Sequence, residues 1–362
     1  MSTLHIFNPE HDISLANGMR KVTPPHAARQ LRHDLGFIPA LWANEGDMVL
    51  VDDYACAYLS YMSLRKSVKR VLGLDISEMF FVESSTLSNL MISDVEPWGW
   101  DYSLKSSILP VISDKDIIPS DHYLSTVREL SHREVSARLL KTLRFNGTTG
   151  EALACSTHDE AVAAIYNFGG HAVVKAPWSS SGRGIRFVNG HIDEMLSRWI
   201  KNVLTKQQKI MVEPQYRRII DFGMEFYSQG NGKASYCGLS LFSTTNGAYT
   251  GNLLATENRK REIISRYVSL DLLDKVRDKV CSFAFSPITS HYTGPFGIDM
   301  MIVAPNNHNG YLLHPCVEIN LRRTMGHLAL CLTPADDDIQ GLMQIVYEDK
   351  FRLRISNGLE ET

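Results

Sequence analysis

The sequence predicts an α/β fold that becomes α+β in its C-terminal part, and three stretches carry that prediction. Between residues 4 and 72, strand, loop and helix patterns alternate, the rhythm of a partly parallel sheet. Residues 171–188 place a serine- and glycine-rich loop between two strand patterns. Near the C-terminus, Cys316-Val317-Glu318-Ile319-Asn320-Leu321-Arg322 alternates apolar and polar side chains. That is the period-2 signature of a strand with one wet face.

Size and composition bound the reading. A chain of 362 residues is long enough for two or three units with a substantial core. Hydrophobic residues make up 44%, charged residues 21%, and the formal charge is -3, so no basic surface for nucleic acid or an anionic membrane is indicated. Cys56, Cys155, Cys237, Cys281, Cys316 and Cys331 are scattered without a CxxC pair, which speaks against a zinc site and for reduced thiols in a cytosolic protein. No basic-then-apolar leader opens the chain. No apolar run approaches the roughly 18 residues that span a bilayer. The expected localisation is cytoplasmic.

The elements follow in order. Residues 4–7 read as a buried strand running into the polar turn Asn8-Pro9-Glu10-His11-Asp12, a candidate substrate loop because ligands gather at strand ends in open α/β sheets. Residues 26–35 have helical spacing and stop at Gly36. Strands are expected over 37–42 and 48–51, then a helix over 54–72. Residues 95–102, dense in aromatics, read as a packed loop at the edge of this first unit in preference to a substrate-binding loop. A helix over 131–143 and another over 157–168, ended by Gly169-Gly170, precede the strand 171–175. Glu257 to Arg266 reads as a solvated helix, and Asp336-Asp337-Asp338 as the opening of a last helix.

Three further stretches carry chemistry. Lys175 stands at a strand end, followed by Ser179, Ser180, Ser181, Gly182 and Gly184. Glycines admit an anion close to backbone N–H groups, hydroxyls add donors, and the lysine adds charge, so this hairpin suits a phosphate. No GK[ST] follows and a strand comes next, which excludes a Walker A loop and a dinucleotide fingerprint. Glu213-Pro214-Gln215-Tyr216 leaves a strand through a bend whose unpaired backbone groups fit a base edge. Asp299 is the lone acid of the apolar strand 296–303, and such an acid seeks a cation. Glu318 and Asn320, two residues apart on one strand face, suit a hard divalent ion, with Arg322 reaching an anion beyond.

In this order, the lysine with its lid loop, the glutamate-bearing hinge and the E-x-N-x-R strand resemble the ATP-grasp superfamily over roughly residues 131–330. The resemblance implies a Rossmann-like N-terminal domain over residues 1–125, a lid and nucleotide-binding subdomain over 126–227, and a core subdomain with the metal site over 228–362. It implies that Lys175 and the Ser179–Gly184 loop hold ATP phosphates and that Glu213, Pro214, Gln215 and Tyr216 form the adenine hinge. Glu225 then holds the ribose; Asp299, Glu318 and Asn320 hold one or two Mg²⁺ ions, or Mn²⁺; and Arg322 stabilises the transferred phosphate. The sequence departs from the family pattern in three places. Arg133 stands where a lysine is common. Twelve residues separate Glu213 from Glu225, which keeps Asp221 as a rival for the ribose. Gly297 and Ile298 precede Asp299 where many relatives carry an arginine.

The activity so implied is an ATP-dependent carboxylate–amine ligase working through an acylphosphate on amino acid or peptide-like substrates. The alternatives are a kinase on the same scaffold and a catalytically silent nucleotide-binding module. Partners are then a small-molecule carboxylate and amine, with a homodimer as the default assembly. His314 and His327 flank the metal strand, but Mg²⁺ prefers oxygen. That leaves His327 as a lesser candidate for substrate contact.

Overall fold

Three sheets form among the residues described by this computed structural model, which are 2–19, 21–179, 184–245, 248–282, 285–304 and 310–357. The first contains β1 (Ser2–Ile6), β2 (Met48–Leu50), β3 (Phe80–Val82) and β4 (Ile92–Pro97), in the order β3-β2-β1-β4 with every pairing parallel. The second contains β5 (Leu153–Cys155), β6 (His171–Lys175), β7 (Ile185–Asn189) and β8 (Ile210–Pro214), antiparallel in the order β5-β8-β6-β7. The third is a seven-stranded antiparallel sheet of β9 (Arg218–Gln229), β10 (Ala234–Thr245), β11 (Ala248–Leu254), β12 (Thr293–Val303), β13 (Leu312–Asn320), β14 (Gly341–Tyr347) and β15 (Phe351–Asn357). Its order is β13-β12-β9-β10-β11-β14-β15.

The helix Tyr54–Leu72 forms where its pattern predicts. Asp53 caps it by accepting from the Cys56 N–H at 2.8 Å, and Gly73 closes it with φ of 70°. Ala57, Tyr61, Leu64, Val68 and Leu72 fall on one buried stripe. That stripe belongs to a core shared with Met343, Leu353 and Ile355 of the C-terminal strands, so the first and third sheets are not separate modules.

Several expectations are corrected. Residues 37–42 form a 3₁₀ turn, Ile38–Leu41, because Pro39 lacks the N–H a strand ladder needs. No helix starts at Asp336; the chain turns there and enters the β14–β15 hairpin. The unit boundary expected after 125 falls inside the helix Asp121–Leu130, and the one expected after 227 falls inside β9. Helices Asp121–Leu130 and Arg133–Leu140 pack their apolar faces on the seven-stranded sheet rather than on the second one. Among the described residues, no helix is long and apolar enough to cross a membrane.

Candidate active site

Strand alternation builds the centre of the site. On β12, Phe296, Ile298 and Met300 point into the core, which turns Gly297 and Asp299 to the opposite face. Antiparallel register sets Asp299 across from Glu318 and Gly297 across from Asn320. The Asn320 amide donates to Asp299 at 3.2 Å. Burial and the neighbouring Glu318 and Glu225 carboxylates push the Asp299 carboxyl up to about 7 against the pull of Arg322. The expected oxygen set is therefore assembled, and it is short of positive charge. Among the described residues, no three His, Cys, Asp or Glu side chains gather as a closed metal cage. Two carboxylates and an amide fit Mg²⁺, which takes one or two carboxylates and fills its shell with phosphate oxygens and water.

Arg133 ties this centre to the segment that follows Lys175. It opens the helix Arg133–Leu140, is buried, and has its Nη2 at 2.7 and 2.9 Å from the two Glu318 oxygens. The same guanidinium donates to the Ala176 carbonyl and to Ser179 Oγ at 2.7 Å. Gly184 closes the loop by accepting from Ala176 N–H at 2.8 Å, and a Cβ there would lie 2.2 Å from the Ser179 side chain. Ser180, Ser181 and Gly182 lie outside the described residues.

Lys175 and Glu213 form a buried ion pair, Nζ to Oε2 at 2.6 Å, across the paired strands β6 and β8. The bend after β8 is less open than expected. Pro214 pairs with Ala172, and the Gln215 N–H donates to the His171 carbonyl at 3.0 Å. Tyr216 stands edge-on to His314 of β13, ring centres 5.6 Å apart. Lys175 and this bend do not line the cavity that holds Asp299, but Ala176, next to Lys175, is one Arg133 away from Glu318.

Glu225 does not sit at the hinge. It is 2% exposed in the middle of β9, across from Gly297, with its Oε2 2.8 Å from Thr324 Oγ1 and 2.9 Å from His327 Nδ1. Asp221, four residues nearer the hinge on the same strand, bonds Thr244 Oγ1 and Arg218, each at 2.8 Å. Glu213 and Glu225 lie in different sheets, on β8 of the second and β9 of the third.

A cavity of about 290 Å³ joins these groups. Asp299, Glu318, Asn320, Arg322, Arg133 and Ser179 line one part of it, and Phe7, Trp98, Leu31 and Asp12 of the N-terminal unit line another. Arg322, expected to stabilise a phosphate, lines this cavity within an ion pair that the sequence did not indicate. Asp12 clasps it with both carboxylate oxygens, and its Nη1 donates to the Arg323 carbonyl at 3.1 Å. Of the Asn8–Asp12 loop, Asn8 and His11 are buried on the turn at Gly99–Asp101, and Glu10 pairs with Arg32. Asp12 and Pro9 alone of these five reach the cavity.

Sequence reasoning missed Thr324, Ser240, Asn252 and Tyr249. Thr324 caps the helix Met325–Cys331 in a reciprocal capping box with His327 at the third helical position. The signal was a threonine followed three residues later by a side chain able to reach back, immediately after Arg322-Arg323. The Tyr249–Asn252–Ser240 hydrogen-bond chain, at 2.6 and 2.7 Å, had no such signal, because it joins two strands whose pairing the pattern does not reveal.

No protein-family model matches the chain, and no curated protein matches it. Solved structures do. The ADP complex of N5-carboxyaminoimidazole synthetase from Staphylococcus aureus matches 95% of this chain and 82% of its own, at 11% identity and a TM-score of 0.50. Biotin carboxylase from Campylobacter jejuni, in a complex described as β,γ-ATP, matches 95% and 75%, at 11% identity and a TM-score of 0.50. Pyruvate carboxylase from Rhizobium etli, as its T882A variant with acetyl coenzyme A, matches 95% of this chain and 31% of its own, at 11% identity and a TM-score of 0.51.

The chain has an ATP-grasp fold. In this ATP-grasp chain the sheet β5–β8 carries the loop that starts after Lys175, the seven-stranded sheet carries the acid pair, and Arg133 bridges the two.

Proposed function

We propose that this chain is an ATP-dependent ligase that joins a carboxylate to an amine through an acylphosphate. The observation that carries the reading is the facing pair Asp299 and Glu318 with Asn320 beside them, joined through Arg133 to the loop that starts at Ser179. Mg²⁺ held by Asp299, Glu318 and Asn320 would neutralise charge on the transferred phosphoryl group. Lys175, Arg133 and the Ser179–Gly184 loop hold the nucleotide's phosphates, and Glu213 with Tyr216 borders its base. Asp221 takes the ribose, since it lies nearer the hinge than Glu225. Arg322, fixed in direction by Asp12, places positive charge on the cavity wall where phosphate charge develops. Closure of the loop keeps water from the acylphosphate. The likeness to enzymes solved with ADP and an ATP analogue supports a nucleotide in this cleft.

The test is release of phosphate from ATP and Mg²⁺ over pooled amino acids and small carboxylates, with hydroxylamine present to trap the activated acid. Phosphate release and hydroxamate, both dependent on a carboxylate, are expected. Phosphate retained on the product would replace the ligase by a kinase, and no turnover with any pool would leave a nucleotide-binding module.

A further inference from the structure

Charge around the cavity is unevenly matched. Four carboxylates line it, Asp12, Glu225, Asp299 and Glu318, against the guanidiniums of Arg133 and Arg322. Arg322 is taken by Asp12 and Arg133 by Glu318. With Asp299 given to the metal, Glu225 is left without a strong cation, and its nearest titratable contact is His327.

The neighbours of this pair fix where its protons sit. His327 Nε2 lies 3.2 Å from the Phe226 carbonyl, which only accepts, so Nε2 carries a hydrogen. Nδ1 then accepts from the Thr324 N–H at 3.2 Å. Thr324 Oγ1 accepts from the N–H groups of Gly326 and His327 and gives its own hydrogen to Glu225 Oε2 at 2.8 Å. Oε2 lies 2.9 Å from Nδ1, so the imidazole stands directly behind the carboxylate. The other oxygen, Oε1, has no hydrogen-bond partner among the described residues. Space beside it is kept open by Gly326, where a Cβ would lie 1.8 Å from Oε1. A buried carboxylate held from behind by Thr324 and His327, with a free oxygen facing the cavity, is placed to receive a proton.

We propose that Glu225, backed by His327, takes a proton from the acceptor ammonium, and that the acceptor is an amine on an apolar body resting against Phe7, Trp98 and Phe242. This rests on the ligase reading. An alkylammonium is protonated at neutral pH and has no lone pair with which to attack. It gives one proton to Glu225 Oε1, and the freed amine attacks the carbonyl carbon of the acylphosphate. The C–N bond forms and the C–O bond to phosphorus breaks, with its electron pair leaving on phosphate. The second proton leaves nitrogen for the departing phosphate, and the first passes from Glu225 to solvent. Glu225 is the catalytic residue and His327 its positioning residue.

The experiment uses the full chain with ATP, Mg²⁺ and the twenty amino acids as carboxylates, and compares two nucleophiles. Hydroxylamine is unprotonated at neutral pH and needs no base; phenylethylamine is a cation with an apolar body. In Glu225→Gln, phenylethylamide formation is expected to fall ~100-fold and hydroxamate formation by less than about tenfold. His327→Asn shifts the same ratio in the same direction. Equal losses for both nucleophiles, or no loss for phenylethylamine, overturn the proposal, as does a wild type that makes hydroxamate but no phenylethylamide. If the wild type makes no hydroxamate, the ligase reading falls separately. Calorimetry supplies a readout without turnover. Phenylethylamine is expected to bind the wild type in preference to 2-phenylethanol, and Glu225→Gln to lose that preference; equal binding of the two compounds by the wild type overturns the assignment. A melting curve for Glu225→Gln confirms that the variant is folded.

Discussion

The guanidinium of Arg322 is clasped by the carboxylate of Asp12, Nε to Oδ1 at 3.1 Å and Nη2 to Oδ2 at 2.8 Å, across 310 positions of the chain. Two parallel charge-assisted bonds set the direction of both groups. Burial alone would raise the Asp12 carboxyl, but Arg322 outweighs it and holds Asp12 below its ordinary range. The strand that ends in Asn320 is thereby registered against the N-terminal unit.

Removing one partner leaves the other largely desolvated. Asp12→Asn is expected to destabilise the protein by about 2–3 kcal/mol in urea unfolding, less than a fully buried pair because both side chains retain some exposure. The double variant with Arg322→Gln should recover part of that loss, with a coupling energy of about 1–3 kcal/mol.

Asp299 makes the opposite prediction. Its carboxyl lies near 7 in the folded protein, above its ordinary 3.8, because burial, Glu318 and Glu225 disfavour the charge. The folded state therefore holds the proton more tightly, and stability from this group falls as pH rises from about 4 to about 7. Asp299→Asn is expected to stabilise the protein without nucleotide by about 1–3 kcal/mol near pH 8, after allowance for screening, and to leave it unchanged near pH 3. A rise in Tm with Mg²⁺ and ATP is expected of the wild type and should be lost in the same variant.

His314 is buried, has no hydrogen-bond partner at either ring nitrogen among the described residues, and is pushed down to about 3 by burial and then by Lys175. His132 is pushed down to about 4, chiefly by burial. A histidine depressed in the folded state contributes stability above its unfolded value near 6.5, and that stability is lost as pH falls toward the folded value. From about pH 7.5 to about pH 5, His314→Leu should reduce the acid loss of stability by about 2 kcal/mol, measured by denaturant titration at each pH.

Gly326→Ala tests the space around Glu225. Its Cβ would meet Glu225 Oε1 at 1.8 Å and Ser240 Oγ at 2.7 Å. Glu225 must then leave its bonds to Thr324 and His327, at an expected cost of about 1–3 kcal/mol in stability and a loss of amine-dependent turnover of at least about tenfold.

Much of the fold was legible where local rules act alone. The helices His26–Leu35 and Tyr54–Leu72 came out with their observed limits, since apolar period and end residues agree there. Asp299, Glu318 and Asn320 were legible because strand parity places Glu318 and Asn320 on one face, and the register of β12 brings Asp299 across from them. Residues 37–42 misled, because a short apolar run reads equally as strand or buried turn. Phe351, Leu353 and Ile355 do alternate with Arg352, Arg354 and Ser356, but the acids before them drew the reading toward a helix. The surroundings of Glu225 were not legible, since counting from Glu213 does not show that the chain crosses into another sheet. Asp12 opposite Arg322 was beyond sequence reading altogether, because nothing local encodes a pairing over that separation.

The helix Tyr54–Leu72 lies on β15, and Asp34 accepts from the Phe351 N–H at 2.9 Å. About 280 residues separate the end of that helix from β15. At about 5–20 residues per second, a ribosome takes roughly 15–60 s to supply the strand that completes the packing of Leu64, Val68 and Leu72. That face of the helix is completed only when the last strand of the chain has been made.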